Sequence, residues 1–170
     1  MILKGRAHVF GDDINTDYII SGKYKFKTLD MNELGKHVME DINPNFSQKV
    51  RPGDFIIAGR NFGCGSSREQ APRALLASGI QGILALSIAR IFFRNAINCG
   101  LVALECDTSH IYDGDELGID LTMGKITDLS QGFEIEAVAL PEVMIHILNE
   151  GGLISYFKKH GSFPTTTKTR

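Results

Sequence analysis

The chain has 170 residues, 43% of them apolar, and a formal net charge of −2. That length and apolar share suit one domain with a sizeable core, and the near-neutral charge argues against a nucleic-acid or membrane surface as the main partner. No stretch approaches the roughly 20 apolar residues that span a bilayer, and Met1-Ile2-Leu3-Lys4-Gly5 turns polar too early for a signal peptide, so a soluble, cytoplasmic protein is expected.

Leu3 to Phe10 reads as a strand, with Leu3, Gly5, Ala7 and Val9 on one face. Gly11 to Asp17 is loop chemistry, rich in side chains that bond their own backbone. Met31 to Asp41 has helical spacing, with Leu34 and Val38 as its inner stripe and Asn32 as a cap. The turn Arg51-Pro52-Gly53-Asp54 feeds the apolar run Phe55-Ile56-Ile57-Ala58. A Gly-rich loop, Gly59 to Gly65, follows, and a helix is expected from about Ser67 to a left-handed cap at Gly79. Ile83 to Leu86 is a short buried strand. Ser87 is placed to cap a helix from Ile88 to about Asn98, closed by Gly100, before another short strand at Leu101 to Glu105.

This strand–helix alternation argues for an α/β unit with parallel strands covered on both faces. Glu116 to Leu121 and Phe133 to Ala139 alternate as half-exposed antiparallel strands do, with Met123-Gly124-Lys125 as a turn between them. Pro141 suits the first turn of a helix over Glu142 to Asn149. Gly151-Gly152 breaks it, and Leu153 to His160 forms one more. One domain over residues 1–161 is expected, with a frayed, basic tail at 162–170.

Cys64, Cys99 and Cys106 are an odd number at wide spacing. They fit neither a disulfide framework nor a Cys-x-x-Cys metal knuckle, and a reducing compartment suits them. Iron–sulfur clusters take three or four thiolates from local runs, so this chain alone is not expected to bind one. No two of the histidines 8, 37, 110, 146 and 160 have the i, i+4 spacing of a metal pair, and they are assigned no chemistry.

The sharpest feature is Gly63-Cys64-Gly65-Ser66-Ser67-Arg68-Glu69, set between a buried strand and a helix. Ligand sites in α/β folds gather at the carboxyl ends of strands, and a helix N-terminus there attracts anions. Gly63 and Gly65 permit tight turns and close approach, and Arg68 offers a fork that matches a carboxylate. The loop thus reads as an anion clamp. Yet Ser66-x-x-Glu69 and Ser67-x-x-Gln70 are also capping boxes, and by themselves these residues favour the cap. Pro72 implies an irregular first turn or a later helix start. Walker, dinucleotide-binding and serine-hydrolase signatures are missing.

Three further segments accompany that loop. Asp13-Ile14-Asn15-Thr16-Asp17-Tyr18-Ile19-Ile20, Pro52-Gly53-Asp54 and Ala89 to Leu101 occur in order around Arg60 to Pro72. Together they resemble the swivel domain of the aconitase family, from the first strand to roughly Glu150. Gln70 departs from the pattern, where the family commonly has His.

The resemblance implies a swivelling β/β/α fold, with a central sheet flanked by a second sheet layer and helices. It implies a stand-alone small subunit of the isopropylmalate isomerase type, acting only with a large subunit that carries a [4Fe–4S] cluster. The reaction implied is dehydration and rehydration of a 2-hydroxy di- or tricarboxylate, with the partner's iron as Lewis acid. By the same likeness Ser66 is the base, Ser67 and Arg68 hold a substrate carboxylate, and Thr16 and Asp17 organise the loop.

In the family a short loop at Tyr24-Lys25-Phe26-Lys27-Thr28 selects the substrate. An Arg at its centre goes with a carboxylated substituent, as in homoaconitase, and an apolar residue with an alkyl group. Phe26 favours alkyl; Lys25 and Lys27 leave a carboxylate open, and the residues alone also fit a strand edge with both lysines in solvent. Homoaconitase and 2,3-dimethylmalate dehydratase are the alternative activities.

Cys64 has two readings: a low-pKa thiol near a helix N-terminus and Arg68, or a small residue filling a tight loop. Residues 19–20 and 90–94 are the expected subunit contact. Among other classes, a phosphohistidine carrier needs a His in the Gly-rich loop, RNA binding needs a basic or aromatic surface, and a small hydrolase needs a triad; the chain offers none of these.

Overall fold

The computed structural model describes residues 2–66 and 68–163, without the side chain of Lys25. β1 (Ile2–Val9) leads into four short helices: α1 (Thr16–Ile19), α2 (Gly22–Lys25), α3 (Met31–Gly35) and α4 (Phe46–Lys49). Next come β2 (Phe55–Ala58), α5 (Gln70–Ser78), β3 (Gly82–Ala85), α6 (Arg90–Cys99) and β4 (Val102–Glu105). β5 (Glu116–Asp120), β6 (Lys125–Asp128) and β7 (Phe133–Glu136) form a meander, followed by α7 (Glu142–Asn149) and α8 (Leu153–His160). No helix among the described residues is long and apolar enough to cross a membrane.

The strands pair in the order β4-β3-β2-β1-β5-β6-β7. β2 and β3 are buried at every position, as parallel strands covered on both faces must be. β5 and β6 bury alternate residues, as antiparallel strands with one wet face do. β1 joins the two halves. Its residues Ile2 to Arg6 pair antiparallel with β5, and Ala7 to Val9 pair parallel with β2. The expected second sheet layer therefore grows out of the first through one shared strand.

Asp54 satisfies the backbone where β1 changes partner. Its buried carboxylate accepts Arg6 N at 3.1 Å and Arg51 N at 2.9 Å, and lies 2.7 Å from His8 Nε2. Burial pushes this carboxyl up, but hydrogen bonds from Arg51, His8 and Arg6 outweigh it and hold the group below the usual carboxylate range.

Several expected boundaries move. The first long helix stops at Gly35, after which Lys36 N and His37 N bond the carbonyls of Glu33 and Leu34, three residues back, although Leu34 and Val38 are both buried. Asp30 caps it by accepting Asn32 N, so Asn32 is the capped residue. The helix after the serine loop starts at Gln70. A start at Ser67 would carry Pro72 beyond the first turn, where its ring meets the Arg68 carbonyl; in α5 it is third, where no N–H bond is lost. Ser87 does not cap α6, whose first residue is Arg90; its Oγ accepts Asn61 N instead. β6 begins at Lys125, the last residue of the expected Met123-Gly124-Lys125 turn. Residues 22–25 form a helical turn, so 24–28 is not a strand edge.

Ile19 and Ile20 are fully buried, which removes them from the expected subunit contact. Ile91, in the other expected segment, is 49% exposed. Of the expected tail, residues 164–170 lie outside the described residues; Phe163 packs edge-on against Phe157.

Candidate active site

The loops leaving the carboxyl ends of β1 and β2 are laced together. Asp13 N donates to Arg60 O at 2.9 Å, Gly63 N to Ile14 O at 2.7 Å and Thr16 N to Cys64 O at 2.9 Å. Asn15 caps α1 by accepting Asp17 N and Tyr18 N. Thr16, buried, donates its hydroxyl to Ser66 O at 2.9 Å and lies 3.5 Å from Ser66 Oγ. The first motif therefore acts on the second by holding the backbone and hydroxyl of Ser66.

The two glycines serve different ends. Gly63 has φ of +78°, and a Cβ there would run into the Cβ and ring of Phe92. Gly65 has φ of +94° but only ordinary contacts around it, so the backbone conformation, not space, requires it. The capping reading of Ser66 is not realised: the residue before α5 is Glu69, whose side chain makes no cap hydrogen bond.

Thr16, Gly63, Gly65, Ser66 and Arg68 line a pocket of about 340 Å³, and α6 adds Arg90, Ile91, Phe92 and Asn95. The lining thus draws on two arginines and two hydroxyl residues and, among the described residues, on no Asp or Glu, a composition that suits an anion. Arg90 and Asn95 had been passed over in the sequence, although the segment carrying them had been noticed. They stand five residues apart in α6, a spacing that puts them on different sides of a helix, so no periodicity in the sequence joins them.

Phe26 is 79% exposed, and its ring centroid lies 5.3 Å from Arg68 Cζ, a cation–π contact. The loop carrying Phe26 and the serine loop thus meet. Lys27 and Asp17 are exposed and do not line the pocket. Ser67 and the side chain of Lys25 lie outside the described residues.

Burial pushes the Cys64 thiol up, and the Asp13 carboxylate pushes it further. That direction runs against the low-pKa reading of Cys64 and with the small residue filling a tight loop. Cys99 and Cys106 are each pushed up to about 12, chiefly by burial. Among the described residues no group of three or more His, Cys, Asp or Glu could hold a metal ion. A larger, mainly apolar groove of about 800 Å³ runs between α6 and α7 and holds none of the serine-loop residues. It offers shape without reactive chemistry.

Residues 14–109 match the family model for the aconitase C-terminal domain. The chain is 56% identical over 161 residues to 3-isopropylmalate dehydratase small subunit 2 of Archaeoglobus fulgidus, covering 95% of this chain and 98% of the relative. It is 49% identical to the methanogen homoaconitase small subunit of Methanothermobacter thermautotrophicus, covering 93% and 92%. The crystal structure of a 3-isopropylmalate dehydratase from Methanocaldococcus jannaschii superposes with a TM-score of 0.90 at 48% identity, covering 95% of this chain and 96% of that one.

Proposed function

This chain belongs to the aconitase C-terminal domain family, and on that premise we propose that it is the small subunit of a 3-isopropylmalate dehydratase of leucine biosynthesis, a cytoplasmic hydro-lyase. It acts as part of a complex with a large subunit, and the [4Fe–4S] cluster is the large subunit's. Its own described residues do not fit such a group. What it brings is a hydroxyl and a carboxylate clamp.

The observation that carries the reading is the gathering of Ser66, Arg68, Arg90 and Thr16 around one pocket without a carboxylate. Ser66, as base, removes the proton from the carbon next to a substrate carboxylate. The electron pair left behind closes the carbon–carbon double bond as hydroxide departs from the neighbouring carbon. Rehydration adds a proton and hydroxide back across that double bond with the two carbons exchanged, so the hydroxyl moves to the neighbouring carbon. A serine hydroxyl is a weak acid, so its alkoxide needs support from Arg68 and the dipole of α5. Arg68 and Ser67 hold the carboxylate and so place the hydrogen for removal. Thr16 fixes Ser66, and Asp17 organises the turn that carries Thr16. Phe26 meets the variable substituent and favours an alkyl group, with Lys25 and Lys27 on either side.

The homoaconitase relative makes a carboxylated substituent the second reading. Both are decided by anaerobic turnover of this chain mixed with its reconstituted large subunit. Alkene formation is followed from 3-isopropylmalate, a homocitrate-type acid and 2,3-dimethylmalate. Turnover only in the mixture, greatest with 3-isopropylmalate, is expected. Activity confined to another acid would keep the mechanism and overturn the reading of Phe26. Silence toward all three, with the cluster intact and the complex formed, would leave a binding module on the same fold.

A further inference from the structure

One polar cluster on the α2–α3 side has no part in the chemistry above. Glu40 engages two partners: Tyr24 Oη donates to Oε1 at 3.0 Å, and His37 Nδ1 lies 2.7 Å from Oε2. The Tyr24 and His37 rings stack, with centroids 3.8 Å apart and planes 9° apart. Burial pushes the Glu40 carboxyl up, but hydrogen bonds from His37 and Tyr24 outweigh it and keep the group ionised at neutral pH. The cluster ties a one-turn helix to the turn after α3.

That helix is short and loosely closed. α2 spans only Gly22–Lys25, and its closing bonds, Phe26 N to Gly22 O at 3.3 Å and Thr28 N to Tyr24 O at 3.4 Å, are long. A single helical turn has no stability of its own in water. Tyr24 is its side-chain anchor, and the anchor's receiving end is rigid. Leu34 is fully buried and Met39 N donates to Ile19 O at 2.9 Å. Gly35 sits so close to α5 that a Cβ there would lie 3.0 Å from the backbone at Ala77 and Ser78. Arg68 stands two residues before the first residue of the same α5. Phe26 and Arg68, far apart in the chain, are therefore braced on one helix, with Arg68 Cζ 5.3 Å from the centre of the Phe26 ring.

We propose that Glu40 is a positioning residue for substrate choice: through Tyr24 and His37 it holds α2 so that the Phe26 ring stays over the Arg68 guanidinium. The ring then fixes where an alkyl substituent sits relative to the carboxylate that Arg68 holds. The inference rests on the reading of Phe26 and Arg68 as substrate-contacting groups.

The test uses Glu40→Ala and Glu40→Gln in the complex with the large subunit. Gln keeps an acceptor for Tyr24 Oη and a polar atom for His37. KM and kcat are measured for 3-isopropylmalate and for a homocitrate-type acid, and amide hydrogen exchange is followed at residues 26–28. Glu40→Ala is expected to raise KM for 3-isopropylmalate about tenfold, the scale of one lost hydrogen bond to a charged group. It should leave kcat within about twofold, the mark of lost ground-state positioning, lower the preference over the homocitrate-type acid and speed exchange at residues 26–28. Glu40→Gln should restore most of each effect.

An unchanged substrate preference in Glu40→Ala, even with faster exchange, would overturn the proposal. So would equal losses in kcat on both acids that Glu40→Gln does not rescue. Wild-type silence toward every acid would sink the assigned reaction and the role in substrate choice together, while the exchange data would still decide whether Glu40 anchors α2.

Discussion

Gly63→Ala and Gly65→Ala, made side by side, separate two physical demands on the serine loop. Both positions have left-handed φ, +78° and +94°, so each alanine carries the backbone cost of about 1–2 kcal/mol. Only at Gly63 does the new Cβ meet Phe92, striking its Cβ as well as its ring. Phe92 is 3% exposed and packs edge-on to Phe62 at 5.2 Å, so moving it breaks up a buried pair. The loop is pinned in turn by Gly63 N on Ile14 O. Overpacking adds about 1–3 kcal/mol, which puts Gly63→Ala at roughly 2–5 kcal/mol and Gly65→Ala at roughly 1–2 kcal/mol. Urea unfolding of the isolated chain, followed by far-UV circular dichroism, reads the difference directly. Equal losses in the two variants, or a larger one at Gly65, would refute the packing argument.

Asp54→Ala should cost about 3–5 kcal/mol, since it strips three partners from one buried carboxylate, and Asp54→Asn should cost less, as urea midpoints will show. The folded carboxyl is held below its unfolded value, so its contribution is present above about pH 4 and is lost as pH falls through the folded value. The acid limb of wild-type stability should therefore flatten in Asp54→Asn, and an unchanged slope would count against the hub. Because the Cys64 thiol is pushed up, its alkylation, mapped by mass spectrometry, should reach half its maximum above the ordinary thiol value of about 8.5. Fast alkylation near neutral pH would contradict that assignment.

Much of the fold was legible because its signals are local. The buried run at Phe55–Ala58 and the glycines after α5 and α6 mark their own boundaries, whereas β3 lies one residue earlier than the expected Ile83 to Leu86. β6 was hidden because its inward positions are Ile126 and Asp128, and a fully buried acid disguises the alternation. Ile19-Ile20 looked like a contact surface, since a four-residue helix shows no period that would reveal its buried face. Ser66 and Arg68 stood out from their own loop. Arg90 did not, because helix α6 enters the pocket only through the fold. The meeting of Phe26 with Arg68, and the Glu40 anchor behind it, depend on how α3 packs on α5, which no spacing rule encodes.

The most direct test of the account is Ser66→Ala in the assembled enzyme, with 3-isopropylmalate turnover measured alongside complex formation by sedimentation. A positioned general base contributes about 10²–10⁴-fold, so kcat should fall by at least about 10² while KM and assembly hold. A kcat within a few-fold of wild type would show that the proton leaves by another route and that Ser66 is only a pinned loop residue.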